Sequence, residues 1–347
     1  MHLLTESNIA TILTSLTPTQ GQEFLNILTQ SLSSNTNNAI HQPARTSIVT
    51  DQSTALFMPV SNTTTTGIKI VHVPRACPIA GVINLFDPEN GHLQGVLGAA
   101  EITAFRTALA TMTLFVQATG EQTGIKRENI VVFGSGRQAE WHARLALLLS
   151  PPGSVQSITF VNRGRARLQA LEKEVFPVLR GEYPGVTMNT LSQETLSQDV
   201  YEARLQGLLG GSDVIFSCTP ATKPNFPFAY LQQHPKRRFL GLIGSYKPQM
   251  QEIDTETLLS GGGGKIYVDS KEACLEESGE LIRAGVTEDQ LVEIGEVYGG
   301  SSAVQIETNS NVVFKCVGMG LMDLVIAKQV LEVAIRQGQG MNVEGFA

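Results

Sequence analysis

The sequence predicts an α/β protein in two parts, a doubly wound parallel sheet and a smaller α+β unit. Three observations carry this. A short apolar run, Ile130 to Phe133, passes through Gly134-Ser135-Gly136-Arg137-Gln138-Ala139 into residues with helical spacing: Ala139, Trp141, His142, Leu145, Ala146 and Leu149. Downstream, strand-like and helix-like patterns alternate to residue 268, as crossover-connected parallel strands do. Upstream, residues 46–97 hold strand-like runs joined by short turns, which favours antiparallel pairing.

In chain order, residues 1–32 carry two helical patterns, with Ser7-Asn8 suited to cap 9–16 and Thr19 to cap 24–32. A polar break follows at 33–38. Strands are expected at 46–49, 55–59, 67–73, 80–86 and 93–97, the last two joined by the turn Asp87-Pro88-Glu89-Asn90-Gly91. Residues 99–118 combine strong helix formers with an apolar face, and 119–127 form a polar link. Pro151-Pro152-Gly153 ends the helix that starts at 137. Further strands are expected at 157–161, 186–191, 213–218, 238–243 and 265–268, with helices at 165–179 and 201–209. The run of four glycines at 261–264 reads as a flexible loop, and residues 311 to 337 as one long helix. The division is then 1–126 and 127–310, with the last helix free to return to either.

Composition narrows the function. A net charge of −7 argues against nucleic acid as the main partner. No apolar run approaches a membrane span, and the N-terminus lacks a basic region followed by an apolar core. Cys77, Cys218, Cys274 and Cys316 are widely spaced, as reduced thiols are, and the six His show no metal-ligand spacing. The expectation is a cytoplasmic protein without a metal site.

The strand–glycine–helix order at 130–149 is the first half of a dinucleotide-binding Rossmann unit. Gly134 allows the tight turn, Gly136 lets backbone approach a pyrophosphate, and Ala139 lets the helix pack closely. The helix N-terminus, with Arg137 and Gln138 in its first turn, offers N–H groups to phosphate. The alternative is an ordinary tight strand–helix turn. In NAD-binding versions an acid ends the second strand and holds the ribose. Here that strand runs into Asn162-Arg163-Gly164-Arg165, with no carboxylate. Asn162 suits a ribose hydroxyl, and Arg163 with Arg165 a 2′-phosphate. NADP(H) is therefore expected over NAD(H). The alternative is that both arginines are solvated loop charges.

Three cations stand on otherwise uncharged elements. Arg45 precedes a strand, Lys69 lies in Gly67-Ile68-Lys69-Ile70-Val71, and Arg106 in Ile102-Thr103-Ala104-Phe105-Arg106-Thr107-Ala108. A cation in an apolar element costs free energy unless it is paired or faces a site. The alternatives are a solvated sheet face for Lys69 and a helix-surface charge for Arg106.

With these residues in view, the chain resembles the ornithine cyclodeaminase/μ-crystallin family over nearly its whole length. The match rests on Arg45, Gly67 to Lys69, the helix motif around Arg106, the Gly134 to Ala139 turn, Asn162-Arg163, Cys218-Thr219-Pro220, Phe314-Lys315-Cys316-Val317-Gly318 and Asp323. The resemblance implies a homodimer whose N-terminal domain, rejoined by the C-terminal helix 311–347, binds substrate and dimerises. It implies that Arg45 and Lys69 bind a substrate carboxylate, with Arg106 between that site and the cofactor and Val317 beside the substrate. It implies that Asn84, Thr219, Cys316 and Gly318 border the cofactor, Asn84 standing where Thr is common and Cys316 where Ser is common.

One departure is informative. Ornithine cyclodeaminases carry an Asp in a G-x-D-x-P-G-K-x-E-L loop, whereas this chain reads Gly244-Ser245-Tyr246-Lys247-Pro248-Gln249-Met250-Gln251-Glu252-Ile253. Gly244, Pro248 and Glu252 hold the frame and Tyr246 takes the Asp position. A phenol with an ordinary pKa of about 10 cannot act as a carboxylate base near neutrality. The expected activity is NADPH-dependent reduction of small cyclic α-imino acids at C=N, with Arg45 and Lys69 as the working residues. The alternatives, in order, are an NAD(P)-dependent amino-acid dehydrogenase or reductive N-alkylating enzyme, ornithine cyclodeaminase, and a non-catalytic NADPH-binding protein. The expected partners are a small anionic imino or amino acid and a second copy of the chain, with no nucleic acid and no membrane.

Overall fold

The computed structural model describes residues 1–36, 40–300 and 303–345. Contacts divide the chain into two compact units, Met1–Thr107 with Gly318–Ala347, and Ala108–Val317. The elements, in order, are β1 (His2–Leu4), α1 (Glu6–Thr14), α2 (Pro18–Thr36), β2 (Thr46–Val49), β3 (Ser53–Ser61), β4 (Thr66–Pro74), β5 (Ala80–Phe86), β6 (Leu93–Gly98) and α3 (Ala100–Ala118). Next come β7 (Asn129–Phe133), α4 (Arg137–Leu148), β8 (Ser157–Asn162), α5 (Arg165–Glu174), α6 (Phe176–Glu182), β9 (Thr187–Ser192), α7 (Gln198–Gly211), β10 (Val214–Ser217), α8 (Ala229–Gln232) and β11 (Phe239–Leu242). The chain finishes with α9 (Thr255–Leu258), β12 (Ile266–Val268), α10 (Lys271–Glu277), α11 (Gly279–Ala284), β13 (Leu291–Glu293), α12 (Ile294–Val297), β14 (Val312–Lys315), α13 (Gly320–Gln337) and β15 (Met341–Asn342). The first unit boundary falls inside α3 and the second just after β14, so neither is a linker that composition could mark.

In the first unit β2 to β6 form the expected antiparallel meander. β1 adds to β6 in parallel and β15 to β1, giving the order β15-β1-β6-β5-β4-β3-β2. Both added strands are too short for periodicity to reveal. α13 packs on β3, β4 and β5 and against α2. The helix starts differ from expectation. Thr5, not Ser7-Asn8, caps α1, its Oγ1 accepting from Asn8 N while Asn8 Oδ1 accepts from Thr5 N. Thr17, not Thr19, caps α2 by accepting from Gln20 N at 3.3 Å. α2 also runs through the expected polar break to Thr36; residues 37 and 38 of that break lie outside the described residues. The cap of α3 is non-local. Glu6 accepts from Ala100 N at 2.8 Å and Glu101 N at 2.9 Å, and Gly98 leaves room for its carboxylate, since a Cβ there would stand 2.6 Å from it.

The second unit is a parallel sheet in the order β13-β12-β14-β11-β10-β7-β8-β9. Its strand order reverses between β7 and β10, the switch point at which such sheets bind ligands. Two expectations are corrected. Residues 311–337 are not one helix. Val312–Lys315 form β14, buried on both faces between β11 and β12, and the helix begins only at Gly320. An apolar strand running straight into an apolar helix cannot be split by periodicity; the break is made at Gly318, whose φ is +93°. Residues 165–179 are likewise two helices, α5 and α6, parted where Pro177 enters the first turn of α6. The glycine run at 261–264 is a 3₁₀ turn at Gly262–Gly264, with positive φ at Gly263 and Gly264.

Candidate active site

In β4, side chains alternate across the sheet. Lys69 pairs with Met58 and Ile83 on the face that α13 covers. Gly67 lets that helix come close, since a Cβ there would meet Leu324 Cδ1 at 2.6 Å. The preceding residue, Asp323, lies in the first turn of α13, where the helix dipole favours a carboxylate. Lys69 Nζ donates to Asp323 Oδ2 at 2.5 Å and Arg106 Nε donates to Asp323 Oδ1 at 3.0 Å. All three are buried, at 3%, 5% and 1% exposure for Lys69, Arg106 and Asp323. Gly318 gives the guanidinium its space: a Cβ there would lie 2.5 Å from Arg106 Nη1. Burial pushes the Lys69 amine down from 10.5 to about 8; Asp323 opposes the shift, and Arg106 and Arg45 reinforce it. Arg45 is half-buried just ahead of β2. Asn84 is not part of this group. It pairs with Ile68 and so points to the opposite face of the sheet.

The glycine turn sits at the switch point of the second unit. Gly134 has φ +109°, and a Cβ on it would come within 2.8 Å of Cys218 O. Gly136 caps α4 without a side-chain bond, and a Cβ there would meet nothing within 4 Å. Ser135 Oγ is buried with no hydrogen-bond partner among the described residues. Glu140, an acid in the first turn of α4, is neutralised by Arg137 at 2.7 Å and Arg144 at 2.8 Å. The turn therefore presents bare backbone and an unused hydroxyl, which fits a phosphate group.

A cleft of ≈ 1120 Å³ opens over the ends of β7 to β10, lined among others by Phe133, Asn162, Arg163, Arg167 and Thr219. Asn162 Nδ2 donates to Gly164 O at 2.8 Å. Arg163 is exposed and makes no ion pair among the described residues. Arg165 does not act with it. Its guanidinium is bound by Glu172 of its own helix at 2.6 and 2.8 Å and by Thr190 of β9 at 3.0 Å, and the other cations lining the cleft are Arg167 and Lys223, which sequence reading missed.

Beyond the cleft lies a buried polar network that the sequence hardly signalled. Glu252 Oε1 accepts from Ser217 Oγ and Thr219 N at 2.7 Å each, and from Thr219 Oγ1 at 3.0 Å. Its Oε2 accepts from Gly244 N at 2.6 Å and Ser245 N at 3.2 Å. Burial raises the Glu252 carboxyl above its usual value, opposed by Lys315. Asp269 accepts from Val317 N and from the Cys274 and Cys316 thiols. Val317 thus has its backbone fixed, and Cys316 is a buried thiol held by a carboxylate. Tyr246 is 41% exposed, with Lys247 Nζ 5.5 Å from its ring centroid. His142, one of the residues at helical spacing after the glycine turn, is fully buried; its ring bonds Gln138 O and Thr111 Oγ1, and burial lowers its pKa to about 4. Among the described residues no cluster of three His, Cys, Asp or Glu could hold a metal, and no helix is long and apolar enough to cross a membrane.

Comparison with known proteins adds to this geometry. A model of the ornithine cyclodeaminase/mu-crystallin family matches residues 202–338. The ketimine reductase mu-crystallin of Rattus norvegicus is 30% identical over 250 residues, 72% of this chain and 67% of that protein. A Delta(1)-pyrroline-2-carboxylate reductase of Bacillus cereus is 26% identical over 318 residues, 87% of this chain and 89% of that protein. The solved structure of Thermococcus litoralis Delta(1)-pyrroline-2-carboxylate reductase, in complex with NADH and L-proline, shares the fold with a TM-score of 0.79 at 21% identity, covering 99% of this chain and 100% of that one.

Proposed function

The chain belongs to the ornithine cyclodeaminase/mu-crystallin family, and from that premise we propose that it is an NADPH-dependent reductase of small cyclic α-imino acids of the pyrroline-2-carboxylate or piperideine-2-carboxylate type. The observation that carries the reading is the buried cluster in which Lys69 and Arg106 share Asp323 while Arg45 adds a third positive charge felt by Lys69. Such a cluster contributes little to stability, and two cations gathered on one buried carboxylate suit the recognition of an anionic substrate. Arg45 takes the substrate carboxylate through paired N–H donors and Lys69 completes the anion site, with Arg106 between it and the cofactor. Lys69, with a pKa of about 8, holds a proton at neutral pH and releases it readily to an imine nitrogen. Asp323 positions both cations.

A nicotinamide cofactor held by the second unit would supply the hydride. Gly134, Ser135 and Gly136 would hold its pyrophosphate, Asn162 and Arg163 its adenosine ribose and phosphate, and Thr219 would border its far half. The reductase names of the rat and Bacillus relatives support the substrate class. Tyr246 supports reduction over cyclodeamination, since an exposed phenol replaces the carboxylate that cyclodeaminases carry. The same reading makes the chain a homodimer through the open face of the first unit's sheet.

The test is an NADPH-oxidation assay of the purified protein over cyclic ketimines and 2-oxo acid/amine pairs. Turnover with a cyclic ketimine is expected. Unchanged NADPH absorbance with every candidate would sink the enzyme reading, and release of ammonia from ornithine would overturn the argument from Tyr246.

A further inference from the structure

The second strand of the parallel sheet, β8, ends at Asn162 with no acid beside it in sequence. In space a carboxylate stands there nonetheless. The loop after β9 folds back onto this turn: Gln193 N donates to Asn162 O at 3.2 Å, Glu194 N to Arg163 O at 2.9 Å, and Ser192 Oγ to Arg163 O at 3.2 Å. Glu194 is thereby carried over the turn. Its Oε2 accepts from Arg165 N at 2.6 Å, and a Cβ on Gly164 would lie 3.8 Å from that oxygen. Its Oε1 makes no hydrogen bond among the described residues, and Glu194 lines the same cleft as Asn162, Arg163 and Arg167.

We infer that Glu194 is the ribose-side specificity residue of this cleft: its free oxygen takes a ribose hydroxyl of NADH, and its charge opposes the 2′-phosphate that Arg163 and Arg167 attract. The inference rests on the dinucleotide reading of the cleft. The acid that a NAD site draws from the end of its second strand comes here from the end of the third. The two arginines favour NADPH, while Glu194 limits that preference and keeps NADH a competent ligand. A carboxylate and a phosphate sharing one exposed cleft repel through solvent, so the effect is modest and falls with salt.

Fluorescence titration of NADPH and NADH into the full-length protein and into Glu194→Gln reads both Kd values without turnover. Gln keeps a side-chain oxygen for Arg165 N, so the turn stays held. NADPH binding is expected to tighten and NADH binding to weaken, moving the ratio of Kd values roughly tenfold toward NADPH, the scale of one charged hydrogen bond gained or lost. Arg163→Ala is expected to move the ratio the other way. An unchanged ratio in Glu194→Gln overturns the inference and leaves the dinucleotide site standing. Equal weakening of both nucleotides also overturns it, by reducing Glu194 to a brace of the turn. Wild-type protein that binds neither nucleotide overturns both this inference and the reading of the cleft.

Discussion

Lys69 is buried on an apolar sheet face, and that position sets its chemistry. Burial lowers its pKa to about 8, Arg106 and Arg45 push the same way, and Asp323 restrains the fall. A proton donor works in its charged form, so kcat/KM should be highest below that value and decline as pH rises through about 8. Arg45→Gln removes a lowering charge and should move the limb upward; Asp323→Asn removes the raising one and should move it downward. A limb that stays put in both variants would separate the proton from Lys69. Arg45→Ala should also raise KM for the imino acid by tenfold or more, the loss of roughly one charge-assisted bond, with little change in NADPH affinity. Equal loss of NADPH affinity would sink the carboxylate assignment. The sequence exposed Lys69 and Arg106 as cations in costly places. It did not expose their shared partner, because Asp323 is 254 residues from Lys69 and an acid in a helix's first turn has a sufficient local explanation. Glu194 was hidden for the same reason, since a residue after the third strand carries no mark that it returns to the end of the second.

Among the elements, α4 and the loops after β10 and β11 have measurable roles. His142 in α4 donates from Nδ1 to Gln138 O and accepts from Thr111 Oγ1, the pattern of a neutral ring. Its folded pKa of about 4 lies below the unfolded value of 6.5. The unfolded chain therefore binds more protons between those values, and the native state loses stability as pH falls through that window. The loss from this residue is roughly 3 kcal/mol, at about 1.4 kcal/mol per unit. Denaturation midpoints of wild type and His142→Gln should diverge at neutral pH and converge toward pH 4; parallel profiles would show that the ring is not the titrating group. Glu252 binds the loops after β10 and β11 with its two oxygens. Glu252→Gln points an amide N–H₂ at donors on one side, leaving buried groups unmatched, and should cost about 1–3 kcal/mol in chemical denaturation. A change within error would mean that the loops hold without it. Most elements were legible as runs of one period. The failures, the helix expected at 311–337 and the single helix at 165–179, came where two elements of like polarity adjoin and only a glycine φ or a proline marks the change.

At the scale of the whole chain, one surface lacks a covering. The sheet of the first unit buries the face carrying Lys69, Ile83, Leu85 and Leu97, while the other carries Ile48, Phe57, Ile70 and Val82. Ile48 is 55% and Val82 38% exposed, and the edge strand β2 is exposed along its length, Val49 at 70%. An apolar face next to an open edge is an association surface, because it offers area to bury and backbone groups to pair. A second copy of this chain suits it, since a two-fold axis brings one patch against itself, and a stable pair needs to bury roughly 1,600 Å² in total. Sedimentation should therefore give a dimer at micromolar concentration. Val82→Glu places a charge on each side of the axis and should yield a monomer with unchanged circular dichroism, because the residue contributes little to the buried core of its own unit. A wild-type monomer would remove the dimer from the proposed function. A dimer that survives Val82→Glu and Ile48→Glu together would move the interface to another face, and would leave these apolar side chains without the partner that best accounts for them.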